Sequence, residues 1–256
     1  MVIDWFFMKI KERNIFISGG SRGIGRAISL SQAEKGVTLF INYLRDDEAA
    51  ARAKKEAEKK GARVFLLPGN VGDPDTILSL FKSIQEKTNR LDAVIHNAAL
   101  GVFKPAHQLR EKDWDISLDV NAKALLFLSQ SALPLMKQHG GKIVAISSLG
   151  STHFTPHYGA IGISKAALES LVRYLAVELA PYKIHVNAVS GGLIETDSLK
   201  RFPDFHKMKK EFLRRTPGGR LGSPEDIADA VSFLLGPKSD WFYGQTLIAD
   251  GGYSLF

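Results

Sequence analysis

The chain contains no cysteine. Disulfide bridges, thiolate metal sites and a cysteine nucleophile are therefore all excluded. No apolar run reaches the length of a membrane span; Met1 to Phe7 is mostly apolar but far too short. That stretch also lacks the basic segment and small-residue cleavage site of a secretion signal. A cytoplasmic location without membrane association is the expectation. Internal repeats and low-complexity linkers are missing, so nothing marks a second domain. His153 and His157 stand four apart, but Pro156 breaks a helix there and no HExxH partner accompanies them, so no metal is expected. Acidic residues are outnumbered, 27 against 34 basic ones, for a net charge of +7. The excess is either a solvated face or a surface for an acidic partner. Nucleic acid is not expected, because no stacking aromatics are interleaved regularly with the cations.

What is present is an alternation of apolar runs and helical stretches. The 256 residues suffice for one α/β domain with its own core. Strands are expected at 14–18, 37–43, 63–67, 91–96, 142–147, 183–189 and 245–249. Helices are expected at 24–35, 47–60, 113–137 and 162–180. Such βαβ alternation implies a parallel sheet covered by helices on both faces. Residues 1–13 read as an extension ahead of a single domain at 14–256. The least regular stretch, around 193–222, is broken by Pro203 and Pro217-Gly218-Gly219 and carries Lys200, Arg201, Lys207, Lys209, Lys210, Arg214 and Arg215. A long irregular segment this late in an α/β chain reads as a lid.

The turn between the first strand and the first helix is Ser18-Gly19-Gly20-Ser21-Arg22-Gly23-Ile24-Gly25. Gly19, Gly23 and Gly25 permit a tight turn and close backbone approach to a pyrophosphate, and the helix N-terminus offers free N–H groups. The fold expected is a doubly wound Rossmann sheet. The spacing Gly-x3-Gly-x-Gly resembles that of the short-chain dehydrogenase/reductase family, with Ser18 in place of its usual threonine. The resemblance runs from Asn14 to Asp250-Gly251-Gly252. His96-Asn97-Ala98-Ala99 resembles the family's Asn-Asn-Ala-Gly segment, and Asn70-Val71 its Asp-Val pair beside the adenine. Asn121 falls at the family's asparagine in a kinked helix, and Ser148 at its catalytic serine. His96 replaces an asparagine and reads as structural.

An NAD enzyme wants a carboxylate at the end of the second strand, for the ribose 2′-hydroxyl. Here that end reads Ile41-Asn42-Tyr43-Leu44-Arg45, with no acid until Asp46. Arg22 and Arg45 are candidate clamps for a 2′-phosphate, so NADP(H) is the expected cofactor.

Most of the family carries Tyr-x3-Lys, but the residue four before Lys165 is Ile161. The nearest tyrosine ahead is Tyr158, giving Tyr-x6-Lys. That departure reads either as an inactive homologue or as a resemblance to enoyl-acyl-carrier-protein reductases, which carry this spacing. The flanking Ser147-Ser148-Leu149-Gly150-Ser151, Ser164-Lys165-Ala166-Ala167-Leu168-Glu169 and Val186-Asn187-Ala188-Val189-Ser190-Gly191-Gly192 resemble the third, NADPH-dependent bacterial type. On a helix, four residues span about 6 Å and seven about 10 Å, on roughly one face. The shift suits enoyl reduction, where hydride reaches C3 while charge develops on the C1 oxygen.

The resemblance implies that Lys165 holds the nicotinamide ribose, Tyr158 stabilises the enolate, Ser148 adds a hydrogen bond and Asn121 supports the site. Gly192 and Ile194 are expected to pass the nicotinamide amide, with Thr196 near the phosphates. It also implies an acyl carrier protein thioester as substrate and a homotetramer. Carbonyl reduction, as by a 3-oxoacyl reductase, and a non-catalytic cofactor-sensing role remain alternatives at this point.

Overall fold

The computed structural model describes residues 12–197, 199 and 205–255. Residues 1–11, with most of the expected extension, and the lid cations Lys200 and Arg201 lie outside that set. Strand β1 (Arg13–Ser18) opens the domain, followed by α1 (Gly23–Ser31), β2 (Val37–Tyr43), α2 (Asp47–Lys59), β3 (Arg63–Pro68) and α3 (Pro74–Gln85). Next come β4 (Ala93–His96), α4 (Glu111–Leu118), α5 (Ala124–Met136), β5 (Gly141–Ser148), α6 (Gly159–Leu179) and β6 (Ile184–Gly191). Helix α7 (Phe205–Arg215), within the stretch expected as a lid, α8 (Pro224–Leu235) and β7 (Thr246–Ala249) follow.

All pairings are parallel, in the order β3-β2-β1-β4-β5-β6-β7. This is the doubly wound sheet expected. Its strands alternate faces, so that Phe16 packs with α3, α5 and α6 residues such as Ile84, Leu125 and Leu168. Neighbouring Ile15 and Ile17 pack on the other face with Ile28 of α1 and Ile227 and Val231 of α8. Both faces are dry, which is why the strands read as continuous apolar runs. The strand order reverses between β1 and β4, where Ser18 pairs with His96. Ligands of open α/β sheets bind at such a switch point, beyond the carboxyl ends of the strands.

Three helices go unnoticed in the alternation: α3, α8 and α7, the last forming inside the stretch expected to be irregular. Helix α3 starts on Asp73, whose side chain accepts from the Asp75 amide, with Pro74 at the first position. Helix α8 starts on a capping box between Ser223 and Asp226, again followed by a proline. Both carry these start signals openly. The run 113–137 is not one helix, as expected, but two, separated by a π turn at Asp119–Lys123. The extra residue of that turn aims Asn121 inward, and such turns favour functional sites.

Candidate active site

The glycine turn is shaped by backbone demands. Gly19 and Gly23 take φ of +62° and +52°, a region costly for other residues. A Cβ on Gly25 would stand 2.1 Å from the Gly19 carbonyl oxygen. Helix α1 then begins after Arg22 with no capping side chain and no acid in its first turn. Helices α2, α3 and α8, by contrast, are capped by Asp46, Asp73 and Ser223 and carry acids in their first turns. The open N–H groups of α1 therefore form a cradle fitted to an anion. Ser21 is buried and Ile24 half-buried beside this cradle. Thr196 faces it, its methyl 3.6 Å from where a Gly23 Cβ would lie.

Asn42 is a functional neighbour that sequence reasoning missed. Its Nδ2 donates to the carbonyls of Leu67 and Gly69, both at 3.0 Å, while its own carbonyl accepts from the Gly20 amide at 3.0 Å. It thus ties the turn to β2 and β3. Its only signal was a polar residue inside an apolar strand. Beyond it, Arg45 is exposed, as is Arg22. Asp46, the first acid past β2, spends its carboxylate on the Ala49 amide at 2.9 Å. At the end of β3, Val71 packs into the core and Asn70 caps its own turn through the Gly72 amide at 3.0 Å.

The end of β4 is stitched to the same turn. The Ser18 hydroxyl accepts from the amides of Asn97 and Ala98, each at 3.1 Å. Its own proton is then free for His96 Nδ1 at 3.0 Å. That fixes the tautomer, and His96 donates from Nε2 to the Asn121 carbonyl at 3.2 Å. Burial above all, and then the charge of Lys165, push the His96 pKa down to about 3. His96 is neutral and structural. Asn97 adds a bond from Nδ2 to the Gly19 carbonyl at 2.9 Å. The Asn121 side chain is spent on Leu100, with bonds of 2.8 and 3.0 Å, and on Ser164 at 2.8 Å. It positions the site from behind.

Tyr158 sits on the N-cap of α6, preceded by His157 in the left-handed region at φ 62°. The lead-in is irregular, as Pro156 implied, so His153 and His157 share no helix face. The Tyr158 hydroxyl is hydrogen-bonded to Ser148, at the end of β5; burial pushes its pKa up and the serine bond opposes the shift. The Phe103 ring stacks on Tyr158 at 6.2 Å. Lys165, seven residues on, is buried and donates to the Ile146 carbonyl at 2.6 Å. Burial pushes its pKa down to about 8 against the pull of Glu169. Ile161 occupies the place four before the lysine, pressed beneath Gly101, where a Cβ would stand 2.4 Å from Ile161 Cγ1. Tyr158, Ser148 and Lys165 thus share one end of the sheet with the glycine turn.

The first residues of the stretch expected as a lid pack against the end of β7 and the start of α8. Ile194 bridges to Gly222, and Gly192 packs on the Asp250 backbone, its missing Cβ 3.0 Å from Cα. With Phe212 and Thr216 they line a pocket of about 320 Å³. On α7, Lys209 pairs with Glu195 at 3.7 Å, Arg214 with Glu211 at 2.7 Å, and Arg215 stacks on Tyr253. Lys207 and Lys210 are exposed.

A family model described as enoyl-(acyl carrier protein) reductase matches residues 19–254. The chain belongs to the short-chain dehydrogenase/reductase family. Among curated relatives of this chain, the 1-cyclohexenylcarbonyl-CoA reductase of Streptomyces collinus is 40% identical over 241 residues, 93% of this chain and 86% of that protein. A 3-oxoacyl-[acyl-carrier-protein] reductase of Staphylococcus aureus is 32% identical over 94% of this chain and 97% of its own length. Among solved structures, a 7α-hydroxysteroid dehydrogenase complexed with NADH superposes with a TM-score of 0.89 at 29% identity, covering 95% of this chain and 94% of that one. An angucycline C-6 ketoreductase with bound NADP gives 0.88 at 29%, over 96% and 97%. The chain is thus an oxidoreductase of this family, two of whose solved relatives carry bound NADH or NADP. Among the described residues no helix is long and apolar enough to cross a membrane.

Proposed function

We propose that the reductase is an NADPH-dependent enoyl-acyl-carrier-protein reductase of fatty acid synthesis. The observation that carries this reading is the pair of positions 158 and 161. The only tyrosine near Lys165 on the approach to α6 is Tyr158 at the N-cap, hydrogen-bonded to Ser148, while Ile161 is a buried aliphatic residue with no proton to offer. The acidic hydroxyl therefore stands about one helical turn farther from the lysine than in Tyr-x3-Lys relatives. That placement suits an oxyanion two carbons removed from the carbon that receives hydride. The family description and the name of the Streptomyces relative, which denotes a C=C conjugated to a thioester carbonyl, support the same reading.

NADPH supplies the hydride for C3 of the 2-enoyl thioester. Tyr158 and Ser148 meet the charge that develops on the C1 oxygen, and C2 takes a proton as the enolate returns to a thioester. Lys165 would hold the nicotinamide ribose hydroxyls. Arg22 and Arg45 bind the 2′-phosphate, a role left to them because Asp46 is turned away as a helix cap. The exposed cations of α7 receive an acidic acyl carrier protein. The subunits assemble as a homotetramer through the apolar faces discussed below.

The similarity to a 3-oxoacyl reductase keeps carbonyl reduction as the second reading. Steady-state assays with crotonyl and acetoacetyl thioesters and NADPH separate the two. Turnover of crotonyl thioester is expected; turnover of acetoacetyl thioester alone overturns the proposal, and turnover of neither points to a cofactor-sensing protein.

A further inference from the structure

Glu169 is a buried carboxylate to which nothing above assigns a task. It lies one turn beyond Lys165 on the same face of α6. Its Oε1 accepts from the hydroxyls of Ser147 and, at 2.7 Å, Ser151. Lys165 reaches the same stretch of β5 one residue earlier, at the Ile146 carbonyl. An ammonium and a carboxylate are therefore both buried on one face of α6, held at the end of one strand. Burying a lone ammonium costs several kcal/mol, and a neighbouring carboxylate offsets part of that cost. The serine hydroxyls in turn satisfy the buried carboxylate oxygen.

We propose that Glu169 is a positioning residue that keeps Lys165 in its charged form and pins the Ser147–Ser151 turn from which Ser148 reaches Tyr158.

The groups around Lys165 leave this task to Glu169. From β4, His96 faces the lysine, but it is neutral and held by Ser18 and Asn121. From β5 come only the Ile146 carbonyl and serine hydroxyls. Tyr158, at the entrance to α6, turns its hydroxyl to Ser148 and is kept uncharged by burial. Among the described residues Glu169 is the one negative charge acting on Lys165, and its pull opposes the effect of burial. Because Ser148 lies between the two serines that Glu169 holds, one carboxylate sets both the charge of the lysine and the path of the serine.

The inference rests on the proposed role of Lys165 only where cofactor binding is read; the protonation of Lys165 itself is independent of the reaction catalysed. The test is carbon-13 NMR of the full-length protein with Cε-labelled lysine, the Lys165 signal being assigned by its loss in Lys165→Met. In the unmodified protein the signal should titrate near 8. Glu169→Gln keeps the shape and one serine acceptor but removes the charge. It should move that midpoint down by about one pH unit. It should also weaken NADPH binding at pH 8 severalfold, by fluorescence titration, with recovery at pH 6.5. Glu169→Asp keeps the charge and should stay within about half a pH unit of the unmodified protein. An unchanged midpoint in Glu169→Gln, or an equal shift in Glu169→Asp, overturns the proposal. A shifted midpoint without any change in NADPH affinity leaves Glu169 in place and instead removes Lys165 from the cofactor site. Should Glu169→Gln not fold, the double variant with Lys165→Met decides: stability returns if the loss came from an uncompensated lysine, and stays lost if the carboxylate serves the serines alone.

Discussion

At the scale of single residues, the proposed chemistry turns on one hydroxyl. Tyr158→Phe removes it and leaves the stack with Phe103 in place. Turnover of an enoyl thioester is expected to fall about 10²- to 10⁴-fold while NADPH affinity holds. Lys165→Ala should weaken both. Ile161→Tyr should not rescue Tyr158→Phe, because the larger ring meets Gly101 and places its hydroxyl a turn too near the lysine. Stopped-flow single-turnover rates and NADPH fluorescence check all three, and an unchanged rate in Tyr158→Phe would sink the mechanism. Arg45→Ala should raise the Michaelis constant for NADPH by roughly 10-fold or more, the worth of a charge-assisted phosphate contact, and leave that for NADH little changed. Equal use of both cofactors by the unmodified protein would remove the 2′-phosphate assignment.

His96 makes a second prediction at this scale, concerning stability. Its folded pKa is depressed to about 3 from 6.5, so the unfolded chain takes up a proton that the folded chain refuses. Its contribution is complete above the ordinary histidine value and is lost as pH falls toward the folded one. The loss is about 1.4 kcal/mol per pH unit within that window. Urea unfolding at pH 7 and pH 5 should therefore differ by roughly 2 kcal/mol from this group alone. His96→Asn should flatten that dependence; an equal slope in the variant would show that other groups set the acid sensitivity.

At the scale of elements, the lid helix α7 buries none of its residues and carries cations on an exposed side. Lys209 and Arg214 are engaged with Glu195 and Glu211. Lys207 and Lys210 are the better candidates for meeting an acidic carrier. Reversing both charges should slow turnover of carrier-bound substrate severalfold at low salt and spare a coenzyme A thioester. Equal losses on both substrates would assign these lysines to the lid's own stability. The break between α4 and α5 carries a lesson of the same scale. Apolar periodicity runs through it, so the sequence reads as one helix, and only the hydrogen bonds of Asn121 to Leu100 and Ser164 show why an extra residue is accommodated. Helices α3 and α8 were legible from their caps, but a search for apolar stripes passes over them.

At the scale of the whole molecule, exposed apolar side chains occur on many elements, and two groups of them lie on α6 and near β7. On α6, Ile163, Tyr174 and Val177 are exposed, the last two by 66% and 76%. Near the carboxyl end, Ile248 and Leu255 are exposed, and Trp241 on the approach to β7 is exposed by 94%. Such faces fit the two contacts of a dimer of dimers. Light scattering at micromolar concentration should give four times the chain mass, and Val177→Glu should shift it toward smaller species. A monomer in the unmodified protein would refute the assembly.

The sequence by itself determined the sheet, the cofactor turn and the shifted tyrosine, because each is written in local terms. Strands buried on both faces are unbroken apolar runs, a phosphate cradle needs glycines at set intervals, and a tyrosine–lysine spacing is a count. What only the tertiary structure decided depends on contacts between residues far apart in the chain. The neutral tautomer of His96 follows from Ser18 and Asn121, which lie 78 and 25 residues away. The isolation of Ile161 follows from Gly101, and the diversion of Asp46 to a helix cap from the path of the backbone after β2. Glu169 reads in sequence as one more helical acid. Its spacing from Lys165 is local, but only the packing of α6 on β5 buries both groups and brings the serines to it, where low polarity makes an unbalanced charge costly.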